Sequence, residues 1–344
     1  RAAIAHWAEQ LVILQQNGLQ LVLVSSGAVA EGVTRLNLKS RPKRVHVQQA
    51  AAAVGQMGLV QAYESCFMRH EVHAAQILLS HEDLSDRTRY LNARSTLTTL
   101  LKMNVVPVVN ENDTVATDEL CFGDNDTLAA LVANLINADV MVVLTDQDGL
   151  YSADPRIDTG AKFIRSASAN DAALSKAAGK GSSLGRGGML TKLSAAQLAS
   201  RSGTDTIIAN GRVDGVLQRI AAGEDLGTLL EADCEPVTAK KQWLAGQLTL
   251  KGALTLDEGA VKVLRESGKS LLAVGIRSAS GNFTRGDVVA CNDEAGLEIA
   301  RGLVNYEITE VQKLLGHSSD KIEELLGYAG EEEIIHRDNL MLSR

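Results

Sequence analysis

The stretch Leu19-Gln20-Leu21-Val22-Leu23-Val24-Ser25-Ser26-Gly27-Ala28 decides how the larger part of the chain is read. An apolar run breaks into three small residues, and helix-like alternation resumes at Ala28. Strand, small-residue turn and helix in that order are the unit of a doubly wound sheet. Ahead of it, residues 2–17 carry apolar side chains at helical spacing, and Gly18 stops them. Behind it the rhythm recurs, with helices predicted over 45–69, 85–102, 125–136, 189–201 and 214–221. Strands are predicted over 19–24, 75–79, 105–109, 140–145 and 206–209, and 160–188 reads as a surface loop rich in Gly, Ser, Ala and Lys.

The character changes near residue 232. Residues 233–249 read as a polar linker. Beyond them, 250–344 read as a small β-rich domain, with strand-like runs over 247–250, 271–276, 287–291 and 298–303. Ser280-Gly281-Asn282 and Arg285-Gly286-Asp287 supply turns between those runs.

Composition removes several classes of function. At 45% apolar and 22% charged residues the chain is globular rather than disordered. Its longest apolar runs are too short to span a bilayer, and no signal-peptide pattern follows Arg1. The four cysteines form no CxxC pair, which predicts reduced thiols and a cytoplasmic protein. A net charge of −8 argues against nucleic acid or an anionic membrane as the main partner. Aromatic residues, at 3%, are too few for base stacking but suit an aliphatic parallel sheet. The seven histidines show no metal-ligand spacing, and no GxSxG elbow is present, so neither a protein-held metal nor a hydrolase is expected.

Five stretches carry chemistry. In Val108-Val109-Asn110-Glu111-Asn112-Asp113 an aliphatic strand ends in polar residues, at the edge where open α/β sheets bind ligands. Asp113 could pair with an ammonium group and Asn110 could supply amide hydrogen bonds, although a plain polar turn would look similar. Gly123-Asp124-Asn125-Asp126 precedes an apolar helix; one residue suffices as a cap, leaving the other groups for lysines, an amino group or Mg²⁺ through water. Ser25-Ser26-Gly27-Ala28 offers backbone N–H groups at a helix start. Gly185-Arg186-Gly187-Gly188-Met189-Leu190-Thr191-Lys192 joins a glycine-rich loop to a helix, where N–H groups wrap phosphates and Lys192 can reach a transferring phosphoryl; it is neither a P-loop nor GxGxxG. The segment from Thr145 and Asp146 to Arg156 is a strand end with Asp-Gly and Asp-Pro turns, plausible as a nucleotide site by position alone.

Taken in order, VSSGAVAEG (24–32), AAVGQ (52–56), PVVNENDTVAT (107–117), GDNDTLAALVA (123–133), LTDQDGLYSADPR (144–156) and GRGGMLTK (185–192) resemble the amino-acid kinase family. NENDTVAT with GDND is similar to the branch that phosphorylates glutamate, and GNFTRGDVV to a PUA domain. The resemblance covers essentially the whole chain. It implies an αβα sandwich around a mixed, mostly parallel eight-stranded sheet in residues 1–232, with a PUA-like domain at 250–344. It further implies ATP with Mg²⁺ as cosubstrate and transfer to the γ-carboxylate of L-glutamate, the first step of proline biosynthesis. By position, Ser26, Gly27, Asp113 and Asn125 would bind glutamate, with Asn110 and Asp124 close by. Thr145, Asp146 and the loop Arg186, Gly187, Gly188, Met189, Leu190, Thr191 and Lys192 would contact ATP. Asp126 would organise the catalytic lysines, and Lys192 would stabilise the phosphoryl in flight. Proline as feedback inhibitor, a homo-oligomer (dimer or tetramer) and coupling to glutamate-5-semialdehyde dehydrogenase are the partners the resemblance implies.

The sequence departs from the family at its start. The strand of the form V-V-K-x-G-[ST]-S, whose lysine contacts phosphates, does not occur before the first helix. A central strand of a parallel sheet is hard to dispense with, so the expectation is that native residues precede Arg1 and that the chain as written is catalytically impaired. Two rival readings remain at this stage. One is a kinase of the same fold acting on another acceptor, such as aspartate or carbamate. The other is an RNA binder through the PUA-like domain; residues 251–344 hold 11 Lys/Arg against 16 Asp/Glu, which argues against RNA as a partner.

Overall fold

A computed structural model describes residues 2–115, 125–153, 155, 157–174, 188–233 and 250–343, excepting the side chains of Ala2, Ala3, His81 and Arg87. The described residues fall into two compact units, one within 1–85 and 92–239, the other within 86–91 and 240–344.

The first unit runs α1 (Ala2–Gln16), β1 (Leu23–Val24), α2 (Ala28–Arg35), α3 (Val45–Phe67), β2 (Ala74–Leu79), α4 (His81–Ser85), α5 (Arg87–Lys102, of which 87–91 group with the second unit) and β3 (Val106–Glu111). It continues with α6 (Asn125–Ile136), β4 (Val140–Thr145), β5 (Leu150–Tyr151), β6 (Phe163–Ile164), β7 (Ser166–Ser168), α7 (Met189–Ser200), β8 (Asp205–Asn210), α8 (Val216–Ala221) and β9 (Thr228–Glu231). Helices and strands alternate as the aliphatic periodicity predicts. Besides the antiparallel pair β5-β6, two larger sheets result among the described residues of this unit: β1-β3-β2, wholly parallel, and β4-β8-β9-β7, in which only β8 against β9 is antiparallel. Helix α6 packs on β1, β3 and β4 and so covers both. A mixed, mostly parallel αβα arrangement is therefore present, in ladders of three and four strands rather than one of eight.

Two local differences have physical causes. The strand predicted over 19–24 contracts to Leu23–Val24, because only these residues find partners, Val108 and Val109. The stretch 160–188, predicted as loop, contains β6 and β7. These are too short to carry a period of their own and exist through pairing with β5 and β9.

Helices α2 and α3 pack almost backbone to backbone. A Cβ on Gly55 would lie 1.8 Å from the Ala28 carbonyl oxygen, so glycine's poor helix propensity is tolerated there in exchange for contact. Burial of Ala8, Val12, Leu59, Phe67 and Val108 joins α1, α3 and the first sheet. Leu150, Leu193, Ala196, Ile208 and Leu230 form the core under α7.

The second unit holds β10 (Gly252–Leu256), α9 (Glu258–Ser267), β11 (Ile276–Gly281), β12 (Val288–Asn292), β13 (Glu298–Leu303), α10 (Ile308–Leu314), α11 (Ile322–Leu326) and β14 (Leu340–Leu342). Its sheet has the order β11-β10-β12-β13-β14 and is mixed. The run predicted at 247–250 lies, but for Leu250, outside the described residues; the strand that follows, β10, alternates Leu254 and Leu256 inward into the core. The run predicted at 271–276 is an isolated bridge at Leu271 and a 3₁₀ turn, with strand only from Ile276. Cys66 and Cys291 are free thiols, and full burial pushes Cys291 up to about 12, so that thiol is packing rather than chemistry. No helix among the described residues is long and apolar enough to cross a membrane.

Candidate active site

The carboxyl ends of β1 and β3 lie side by side, Val24 opposite Val109, and the ladder extends one step further as Ser25 N–H donates to the Val109 carbonyl (2.9 Å). Alternation turns Ser25 inward, where it is buried and its Oγ bonds the Tyr63 hydroxyl (3.2 Å). Ser26 consequently faces out, followed by Gly27 at φ 101°, a left-handed conformation at the N-cap of α2 that costs glycine little. The predicted small-residue turn thus presents Ser26 and Gly27, while Ser25 is structural.

Asn110 and Asp113 follow at the end of β3. Asn110 is only 2% exposed; its Nδ2 donates to Gln56 Oε1 (2.7 Å) and its Oδ1 accepts from the Glu111 N–H (2.9 Å). Its amide is therefore partly committed to the protein. Asp113 sits half-buried in the next turn. Burial lifts its carboxyl above the usual range, with the Arg41 guanidinium pulling partly back.

A largely buried contact joins the N-termini of α6 and α7. Asp126, in the first turn of α6, accepts from Lys192 Nζ (2.8 Å) and from Thr191 Oγ1 (3.1 Å), and Thr191 also bonds the Gly188 carbonyl (2.7 Å). The Lys192 and Asp126 side chains retain 10% and 16% exposure, so this is a largely buried ion pair. Gly188 is the N-cap of α7, with Met189, Leu190, Thr191 and Lys192 in its first turn. The Thr191 and Lys192 N–H groups bond the Gly188 carbonyl, which leaves those of Met189 and Leu190, without a carbonyl one turn back, to suit an anion. Asn125 opens α6 and is half-buried. At the end of β4, Thr145 is half-buried beside exposed Asp146, and Gly211 N–H donates to the Thr145 carbonyl (2.9 Å). Asp124, Arg186 and Gly187, and nearly all of the predicted linker 233–249, lie outside the described residues.

The donor set suits phosphate and carboxylate oxygens. Asp126 is occupied by Lys192 and Thr191, and no group of three His, Cys, Asp or Glu among the described residues could hold a metal ion by itself. Sequence reasoning missed Gln56 and Tyr63, seven residues apart on one face of α3, which tie down the ends of β3 and β1. Neither has a local sequence signal beyond a polar residue recurring on an otherwise apolar helix face.

Comparison with known proteins agrees with this architecture. The amino acid kinase family matches residues 1–210 and the PUA domain matches residues 252–326. The chain belongs to the amino acid kinase family. Its relatives along nearly the full length are glutamate 5-kinases: that of Nitrosospira multiformis is 63% identical over 342 residues, 99% of this chain and 92% of that protein. Those of Stutzerimonas stutzeri (60%, over 99% of this chain and 92% of that protein) and Methylococcus capsulatus (58%, over 99% and 91%) are similar throughout.

Proposed function

We propose that the chain transfers the γ-phosphoryl group of ATP to the γ-carboxylate of L-glutamate, forming γ-glutamyl phosphate and ADP, the first step of proline biosynthesis. The observation that carries this reading is the Asp126–Lys192 pair, a buried ammonium fixed where two helix N-termini meet, in a chain with glutamate 5-kinases as relatives. Phosphoryl transfer asks the protein mainly for positioning and charge neutralisation. A glutamate carboxyl titrates near about 4.3 and is already ionised at neutral pH, so no general base is needed. One carboxylate oxygen bonds to the γ-phosphorus while the bond to the β,γ-bridging oxygen breaks and its electron pair leaves with ADP.

In this scheme Ser26, Gly27, Asp113 and Asn125 hold glutamate, with Asn110 and Asp124 beside them; the half-buried Asp113 carboxylate is suited to the substrate ammonium. Thr145, Asp146 and residues 186–192 hold ATP, and Lys192, oriented by Asp126, neutralises charge on the moving phosphoryl. Mg²⁺ on the nucleotide phosphates supplies further neutralisation when bound. We assign these roles to a kinase domain at 1–232, joined by a linker at 233–249 to the PUA-like domain at 250–344. The acyl phosphate product is labile, which favours coupling to glutamate-5-semialdehyde dehydrogenase. Feedback by proline, a dimer or tetramer and a cytoplasmic location complete the proposal by resemblance to the family.

An acceptor panel tests it. With MgATP, ADP release should be fastest with L-glutamate and weak with aspartate or carbamate. Preference for either rival would reassign the acceptor.

A further inference from the structure

The glutamate-binding wall contains a buried group that the scheme above does not use. Gln56 is 7% exposed on α3, and its Oε1 accepts from Asn110 Nδ2 at 2.7 Å. Asn110 Oδ1 is occupied by the Glu111 N–H, which fixes the orientation of both amides. The Nε2 amino group of Gln56 is therefore turned away from Asn110, and it is fully buried with no hydrogen-bond partner among the described residues. A buried donor left unpaired costs about 1–3 kcal/mol, so glutamine is a poor choice here for stability alone. Its position explains the choice better. The preceding residue, Gly55, presses on the carbonyl of Ala28 at the start of α2, while the Gln56 side chain reaches the Asn110 amide at the end of β3. One of the two Asn110 Nδ2 hydrogens goes to Gln56, and no partner among the described residues takes the other.

We propose that Gln56 is a positioning residue for the amino-acid substrate: it locks the Asn110 amide so that the second Nδ2–H is aimed at a carboxylate oxygen of glutamate. This rests on the glutamate-binding reading above. Gln56 acts through Asn110 and does not touch the substrate, since its own free amino group is buried.

The test is calorimetric glutamate binding together with thermal melting, which needs no turnover. Gln56→Met keeps the volume but removes both the acceptor for Asn110 and the unpaired donor. The Kd for glutamate should rise about fivefold, as for loss of one ordinary hydrogen bond. Tm should hold or rise, because an unsatisfied buried group leaves with the side chain. Adding Gln56→Met to Asn110→Ala should weaken binding no further than Asn110→Ala alone. Gln56→Glu retains the acceptor but places a carboxylate beside an anionic ligand, and its binding defect should shrink on acidification. Unchanged Kd in Gln56→Met overturns the inference, and so does a defect that is additive with Asn110→Ala and accompanied by a lower Tm. Wild-type protein that binds no glutamate would instead overturn the functional reading on which the inference stands.

Discussion

Removing Asp126 should destabilise the kinase unit more than most single substitutions, and the structure sets the size of the effect. Lys192 Nζ lies 2.8 Å from Asp126 Oδ2, with both side chains almost out of water. Asp126→Ala leaves a largely buried ammonium without its carboxylate, and breaking buried pairs in this way costs about 3–5 kcal/mol. The carboxylate keeps 16% of its exposure, which lets water reach the orphaned lysine and favours the lower figure, about 3 kcal/mol. For a domain of this size that corresponds to a fall in Tm of roughly 6–12 °C. Adding Lys192→Met removes the stranded charge, so the double variant should return to within about 1 kcal/mol of wild type. Calorimetric or circular-dichroism melts of wild type and the two variants decide the matter. A double variant no more stable than Asp126→Ala would show that the charge pair is not what holds these two helix starts together.

Three further outcomes follow from the same geometry. Lys192→Ala should lower kcat by about 10²-fold, the scale for losing one transition-state donor, with little change in the glutamate KM; steady-state assays separate the two. Asp113→Asn should raise the glutamate KM. Because burial raises the Asp113 carboxyl, wild-type affinity should begin to fall on acidification at a higher pH than for an ordinary aspartate, and the variant should lose that dependence; its melting temperature at neutral pH should not drop, since the buried charge is gone. Gly55→Ala must push the Ala28 carbonyl away from a Cβ only 1.8 Å distant, costing about 1–3 kcal/mol by overpacking, measurable by urea titration.

Long aliphatic runs were the legible part of the fold. Residues 125–136 and 140–145 begin and end in the structure where the sequence places them, because an apolar helix after a capping cluster and a continuous aliphatic strand each carry their own boundary. The two-residue strands β5 and β6 have no such period and owe their existence to each other. In the second unit α9 was readable but unread: Asp257 caps it through the Ala260 N–H and Gly268 ends it in a left-handed turn. For the site, residue types were legible and pairings were not. Asp126 and Lys192 stand on separate helices, and only the packing of α6 against α7 brings them together. Gln56 is the extreme case, a polar residue within a helix whose partner on β3 is far off in sequence.

The central claim is that a phosphoryl group passes to a carboxylate of glutamate, and trapping the product tests it most directly. An acyl phosphate reacts with hydroxylamine to give a hydroxamate. Incubation of the protein with MgATP, L-glutamate and hydroxylamine should yield γ-glutamyl hydroxamate in step with ADP, and the yield should collapse in Lys192→Ala. ADP formed without hydroxamate, or hydroxamate formed equally by Lys192→Ala, would contradict the account.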